Sequence, residues 1–258
     1  MSTTTSHTIP VDGVGPVQVT VTERGAGAPI LLLHGGAGPL SVDGFADLLA
    51  STRPVRVLTP THPGFNGAPR PFALDGIGKL AQLYAGLLDE LDLADVTVVG
   101  NSIGGWIAAE LALLASPRVA RVVLVDAVGI EVPGHPVVDF FALAMDEVAQ
   151  HSYYEPDRFR LDVDAMPPAA RAIMADNRAT LVVYGGRTMT DPTLRARLAD
   201  VKPPMLVVWG EADRIADPGY GRAYADAIPG AEFTLLRRTG HVPQLETPEL
   251  LRDTLLPA

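Results

Sequence analysis

The chain has 258 residues, 47% of them hydrophobic, with a formal net charge of −10 and no cysteine. That length suits one large domain, or a domain carrying an insertion, with a core that needs no covalent staple. Without cysteine there is no disulfide framework, thiolate nucleophile or Cys-built metal site, and an acidic chain without a Lys/Arg cluster is a poor partner for nucleic acid.

In chain order, the opening MSTTTSHTIPVDG is polar and lacks the apolar stretch of a signal peptide, so a tail carrying His7 and a cytoplasmic location are expected. No apolar run approaches the length of a membrane span. Residues 17–22 (VQVTVT) alternate as a half-buried strand does. Residues 30–33 (ILLL), 55–58 (VRVL), 96–99 (VTVV), 122–125 (VVLV) and 205–209 (MLVVW) are short and almost wholly apolar, as central parallel strands covered on both faces are. Residues 232–236 (EFTLL) complete the set.

Between them lie helical patterns. Ile77, Leu80, Leu83, Tyr84, Leu87, Leu88 and Leu91 form one stripe, with Asp75 available as a cap. Residues 103–114, 220–228 and 248–255 are further helices. Strands alternating with helices imply βαβ units and a mostly parallel sheet. Residues 129–200 break the rhythm, with turn-rich VPGHP, EPD and MPP between helical pieces such as 137–150 and 194–198. Seventy residues is too long for a loop. The reading is a core domain of residues 1–128 and 201–258, with 129–200 a helical cap inserted over the sheet's C-terminal edge.

The chemistry is concentrated at strand ends. Residues 100–104 (GNSIG) match G-x-S-x-G between a strand and a helix, which makes Ser102 a candidate nucleophile at a sharp turn rather than an ordinary helix cap. A serine hydroxyl needs a base. His135 and His151 fall in the cap, whereas His241 follows the last strand and can swing over the strand ends. The base needs a carboxylate on its other nitrogen. Asp213, just after MLVVW, is the first choice and Asp126, after VVLV, the rival. The oxyanion of an attacked carbonyl requires donors. These are the Ile103 N–H and one from residues 34–39 (HGGAGP), Gly36 first and Ala37 second. His34 and His62 read as loop-holding side chains. No ligand spacing suggests a metal and no strand is followed by G-x-G-x-x-G, so no cofactor is expected. Large apolar cap residues, Phe140 and Phe141 among them, read partly as packing and partly as a substrate pocket.

With HGG, GNSIGG, WGEADRIADP and GHVPQLETP in this order, the chain resembles the α/β-hydrolase-fold serine hydrolases over almost its whole length, least at 129–200. The resemblance implies a mostly parallel sheet opened by an antiparallel hairpin, helices on both faces and a helical cap. It makes residues 61–69 (THPGFNGAP) a structural turn near the site, and it puts Asp213 and His241 on the acid and base positions. HGGAGP and GNSIGG are also similar to the carbon–carbon bond hydrolases of meta-ring-fission products, in which an Asn often precedes the nucleophile, as Asn101 does here. Ile103 stands where those enzymes usually have Met, and Val242 where they often have Trp. Arg171, Arg178 and Arg187 are candidates for their cap arginine. The implied partner is a small, fairly apolar ester or lactone, or a compound with a C–C bond next to a carbonyl, contacted by Asn101, Val242, Phe140 and Phe141. No membrane contact is expected, and a homodimer is the assembly considered. A non-catalytic ligand receptor, or a cofactor-free lyase or oxygenase on the same fold, is the alternative.

Overall fold

A computed structural model describes residues 2–159 and 162–256. The apolar runs become strands of one eight-stranded sheet. In chain order these are β1 (Ser2–Val11), β2 (Gly15–Gly25), β3 (Ala28–Leu33), β4 (Val55–Thr61), β5 (Val96–Asn101), β6 (Val119–Val125), β7 (Met205–Gly210) and β8 (Glu232–Leu236). Their spatial order is β1-β2-β4-β3-β5-β6-β7-β8. β1 with β2 and β2 with β4 pair antiparallel, and every later pair is parallel.

Successive strand residues point to opposite faces, so one chain feeds two cores. Leu31, Val98, Leu124 and Trp209 pack on one side with α2 (Ile77–Glu90), α3 (Ile103–Leu113) and Tyr220 and Tyr224 of α8 (Pro218–Asp226). Leu32, Val99, Val123 and Val208 pack on the other with α1 (Leu40–Thr52) and α10 (Pro248–Leu255). Burial on both faces is why the central strands carry apolar runs instead of alternation.

Three expectations need correction. The opening residues are not a tail: Ser2–Val11 form β1, with His7 opposite Val19. The Ser/Thr half of β1 is exposed, so only Ile9 and Val11 are buried, and the alternation that marks a strand is missing from the sequence. Asp75 does not cap α2. Gly76 is the cap residue, and Asp75 instead accepts an ion pair from Lys79 at 2.8 Å. The helix expected over 137–150 is confined to α4 (Met145–Ser152).

Between β6 and β7 lie α4, α5 (Pro156–Phe159), α6 (Pro168–Gly185) and α7 (Leu194–Arg197). Among the described residues there, the only β pairing is the isolated bridge Gly129–Thr190.

Candidate active site

β5 ends at Asn101 and α3 begins at Ile103, so Ser102 alone makes the corner. Its backbone lies at φ 56°, ψ −118°, a conformation that costs a non-glycine residue about 1–3 kcal/mol unless the surroundings enforce it. They do. The Ser102 N–H donates to the Val125 carbonyl at 3.0 Å, and its own carbonyl accepts from Trp106 and Val128. Strand and helix can approach this closely only because the positions two before and two after the serine are glycine. A Cβ on Gly100 would lie 2.1 Å from the Gly104 carbonyl oxygen, and one on Gly104 would lie 2.4 Å from that of Leu33. The hydroxyl makes no cap bond to α3, which leaves Oγ available.

His241 takes it up. Ser102 Oγ lies 2.9 Å from His241 Nε2, and His241 Nδ1 lies 2.8 Å from Asp213 Oδ2. A carboxylate only accepts, so Nδ1 carries the proton and Nε2 accepts the serine O–H. Asp213 follows β7, and its Oδ1 accepts from the N–H groups of Ile215 and Ala216 at 2.8 and 3.2 Å. Three donors thus hold one buried carboxylate. His241 is itself clamped: its N–H donates to the Ser152 carbonyl at 2.7 Å, and its carbonyl accepts from Asn101 Nδ2 at 2.9 Å.

The loop after β3 lies against this corner, for a Cβ on Gly35 would sit 3.3 Å from Ser102 Cβ. Among the described residues, no protein carbonyl accepts from the N–H of Gly36, Ala37 or Ile103. The Ile103 N–H also opens α3, whose positive end favours a developing anion. Beneath the loop, His62 N–H donates to His34 Nε2 at 3.1 Å, and His62 Nε2 donates back to the His34 carbonyl at 3.0 Å. Tyr84 OH closes the network on His62 Nδ1. Burial pushes His34 down to about 4 and His62 well below the usual histidine range, so both rings are neutral supports.

Of the other expected site residues, Asn101 is fully spent inside the protein. It donates to the Val125 and His241 carbonyls and accepts from Gln244 Nε2 at 3.1 Å. These bonds tie the His241 loop to the end of β5. Val242 is buried beside His241, and its carbonyl accepts from Leu245 and Glu246. Phe140 and Phe141 pack edge to face at 5.5 Å under the guanidinium of Arg178, which donates to the carbonyls of Phe140 and Leu143. Arg171 and Arg187 are exposed. His135 pairs with Asp217, and His151 turns back on Glu147, so neither competes with His241.

Two contributors escaped the sequence reading. One is α6, whose Leu181 Cδ2 would be 2.8 Å from a Cβ on Gly36. Pro168 at its start and Gly186 just past its end were the available signals. The other is the Ser152 carbonyl, which no side-chain pattern could reveal. Asp126, Asp213 and His241 form the one group among the described residues close enough to share a metal ion, with one donor atom from each within 4.8 Å of the others. Those atoms are mostly committed to hydrogen bonds within the protein.

Comparison with known proteins agrees with this architecture. The chain is 28% identical to a 2-hydroxy-6-oxo-2,4-heptadienoate hydrolase of Pseudomonas putida, over 90% of this chain and 89% of that one. It is 30% identical to a 2-hydroxymuconate semialdehyde hydrolase of Pseudomonas putida, over 88% and 85%. Among solved structures, a thermophilic esterase from Thermogutta terrifontis superposes with a TM-score of 0.78 at 22% identity, over 97% of this chain and 96% of that one. The family model described as "Alpha/beta hydrolase family" matches residues 30–254. That span runs from β3 through the corner at Ser102 to α10, and on this ground the chain belongs to the alpha/beta hydrolase family and is a hydrolase.

Proposed function

We propose that the chain is a serine hydrolase in which Ser102 attacks a substrate carbonyl, His241 moves the proton and Asp213 orients His241. The observation that carries the reading is the unbroken hydrogen-bond chain from Ser102 Oγ through His241 to Asp213, at 2.9 and 2.8 Å. As the Oγ–carbon bond forms, the hydroxyl proton passes to His241 Nε2. The imidazolium then protonates the leaving group, and a water repeats the sequence to free the acid. The Ile103 N–H, with that of Gly36 and Ala37 next to it, receives the oxyanion. Residues 129–200 act as the cap that selects the substrate. Leu181 over Gly36 supports a small, fairly apolar acyl group.

Two bond types compete. The named relatives favour a C–C bond next to a carbonyl. Arg178, occupied by two backbone carbonyls and two phenyl rings, favours a neutral ester or lactone over a dienoate that brings its own carboxylate. The test is a panel of p-nitrophenyl esters, lactones and a coloured ring-fission dienoate, on wild type and Ser102→Ala. The substitution is expected to lower kcat by about 10³-fold or more, and full turnover by that variant would overturn the reading. Rates on the dienoate far above those on esters would assign the C–C reaction.

A further inference from the structure

One buried carboxyl beside the site has no part in the chemistry above. Asp126 follows β6 directly, with its backbone at φ 47°. Its N–H donates to the Val208 carbonyl at 3.0 Å, and its Oδ1 accepts from the Gly210 N–H at 2.7 Å. Both bonds reach β7, the strand that delivers Asp213. Its Oδ2 is buried with no hydrogen-bond partner among the described residues. Asp126, Asp213 and His241 each bring a polar atom within 4.8 Å of the other two.

Two carboxylates this close, both shut away from water, cannot both be charged. Asp213 has three donors and Asp126 one, so the charge belongs on Asp213 and the proton on Asp126. Burial first, and the Asp213 charge second, hold the Asp126 carboxyl well above the usual carboxylate range. The charged groups facing it are Asp213 from the loop after β7, His241 from the loop after β8, and more remotely Glu246 of α9 (Pro243–Glu246).

We propose that Asp126 is a second acid of this site, a protonated positioning residue that steadies Asp213 and takes over the orientation of His241 when the Asp213 carboxylate is removed. In the native enzyme its O–H is turned towards the Asp213 carboxylate, filling the place the unpartnered Oδ2 leaves. In Asp213→Asn the repelling charge is gone. Asp126 then releases its proton to solvent, and its carboxylate receives the N–H of His241. The inference rests on the Ser102–His241–Asp213 reading, and Ser102→Ala tests that reading separately.

The experiment has two arms. Turnover of an activated ester is compared across wild type, Asp213→Asn and Asp126→Asn/Asp213→Asn. The single variant is expected to exceed the double by about tenfold or more. Its rate should climb with pH along a limb that the double variant lacks. Equal rates and equal pH profiles in two folded variants would overturn the proposal. The second arm needs no activity. An infrared difference spectrum at pH 7 between wild type and Asp126→Asn should carry the C=O stretch of a protonated carboxylic acid, shifted in D₂O. A carboxylate band in its place would overturn the proposal even if the double variant failed to fold. Loss of the proposal with Ser102→Ala still inactive would leave the serine-hydrolase reading standing.

Discussion

The strain at Ser102 and the missing side chains at Gly100 and Gly104 are one device. The φ of 56° brings the hydroxyl clear of α3, and only hydrogen sits where strand and helix would otherwise collide. An alanine at 104 has no soft neighbour to displace, because its Cβ meets the backbone oxygens of Leu33 and His34 at 2.4 and 2.6 Å. Gly104→Ala is therefore expected to lose about 3 kcal/mol or more, read from urea unfolding, and to lose fluorophosphonate labelling of Ser102 with it. Wild-type stability in that variant would show that β3 and α3 can move apart. Residues of this kind were legible in the sequence because their chemistry and their place at strand ends coincide. Ser102, His241 and Asp213 were named from those ends, and the structure brings their side chains together. The bonds of Asn101 were not legible, since its partners are two carbonyls and Gln244, distant in sequence.

At the scale of elements, the strands were legible and the individual helices between β6 and β7 were not, for the same reason. A strand buried on both faces must be apolar throughout, whereas α6 buries only Asn177, Thr180, Leu181, Tyr184 and Gly185 near its C-terminal end. β1 was missed because its Ser/Thr half faces solvent. What α6 does depends on that narrow stripe. Asn177 Oδ1 accepts from the Asn66 N–H at 2.7 Å, Thr180 donates to the Gly64 carbonyl at 2.9 Å and Tyr184 to that of Pro63 at 2.8 Å, pinning the helix to the loop after β4 (60s). Leu181 is thereby held over Gly36. Leu181→Ala removes a buried side chain at a cost of about 2–5 kcal/mol and opens space above the loop after β3. It should raise kcat/KM for longer acyl esters relative to acetate, measured on a p-nitrophenyl series. An unchanged chain-length profile would mean that the acyl group lies elsewhere.

For the whole molecule, the buried titratable groups set how stability depends on pH, and their signs oppose. His34 is wholly buried, and its folded-state value is lowered from 6.5 to about 4, by burial foremost; burial likewise holds His62 well below the usual histidine range. The unfolded chain binds these protons and the folded chain does not, so stability is greatest above pH 6.5 and falls as pH drops towards 4. His34 alone accounts for a loss of about 3 kcal/mol over that span. Asp126 acts the other way. Its value is raised, so the folded state holds a proton that the unfolded state has released, and that contribution fades as pH rises above the ordinary carboxylate value of 3.8. Two histidines against one aspartate leave a net excess of about one proton in the unfolded state between pH 4 and 6.5. Urea midpoints should therefore climb with pH through this window. His34→Gln should flatten the climb by about 1.4 kcal/mol per pH unit, and Asp126→Asn should steepen it by a similar amount. The opposite responses distinguish these buried groups from the many surface carboxylates, which neither substitution touches. A slope unmoved by His34→Gln would mean that the ring is protonated in the fold, and the neutral His34–His62 support beneath the loop after β3 would have to be abandoned.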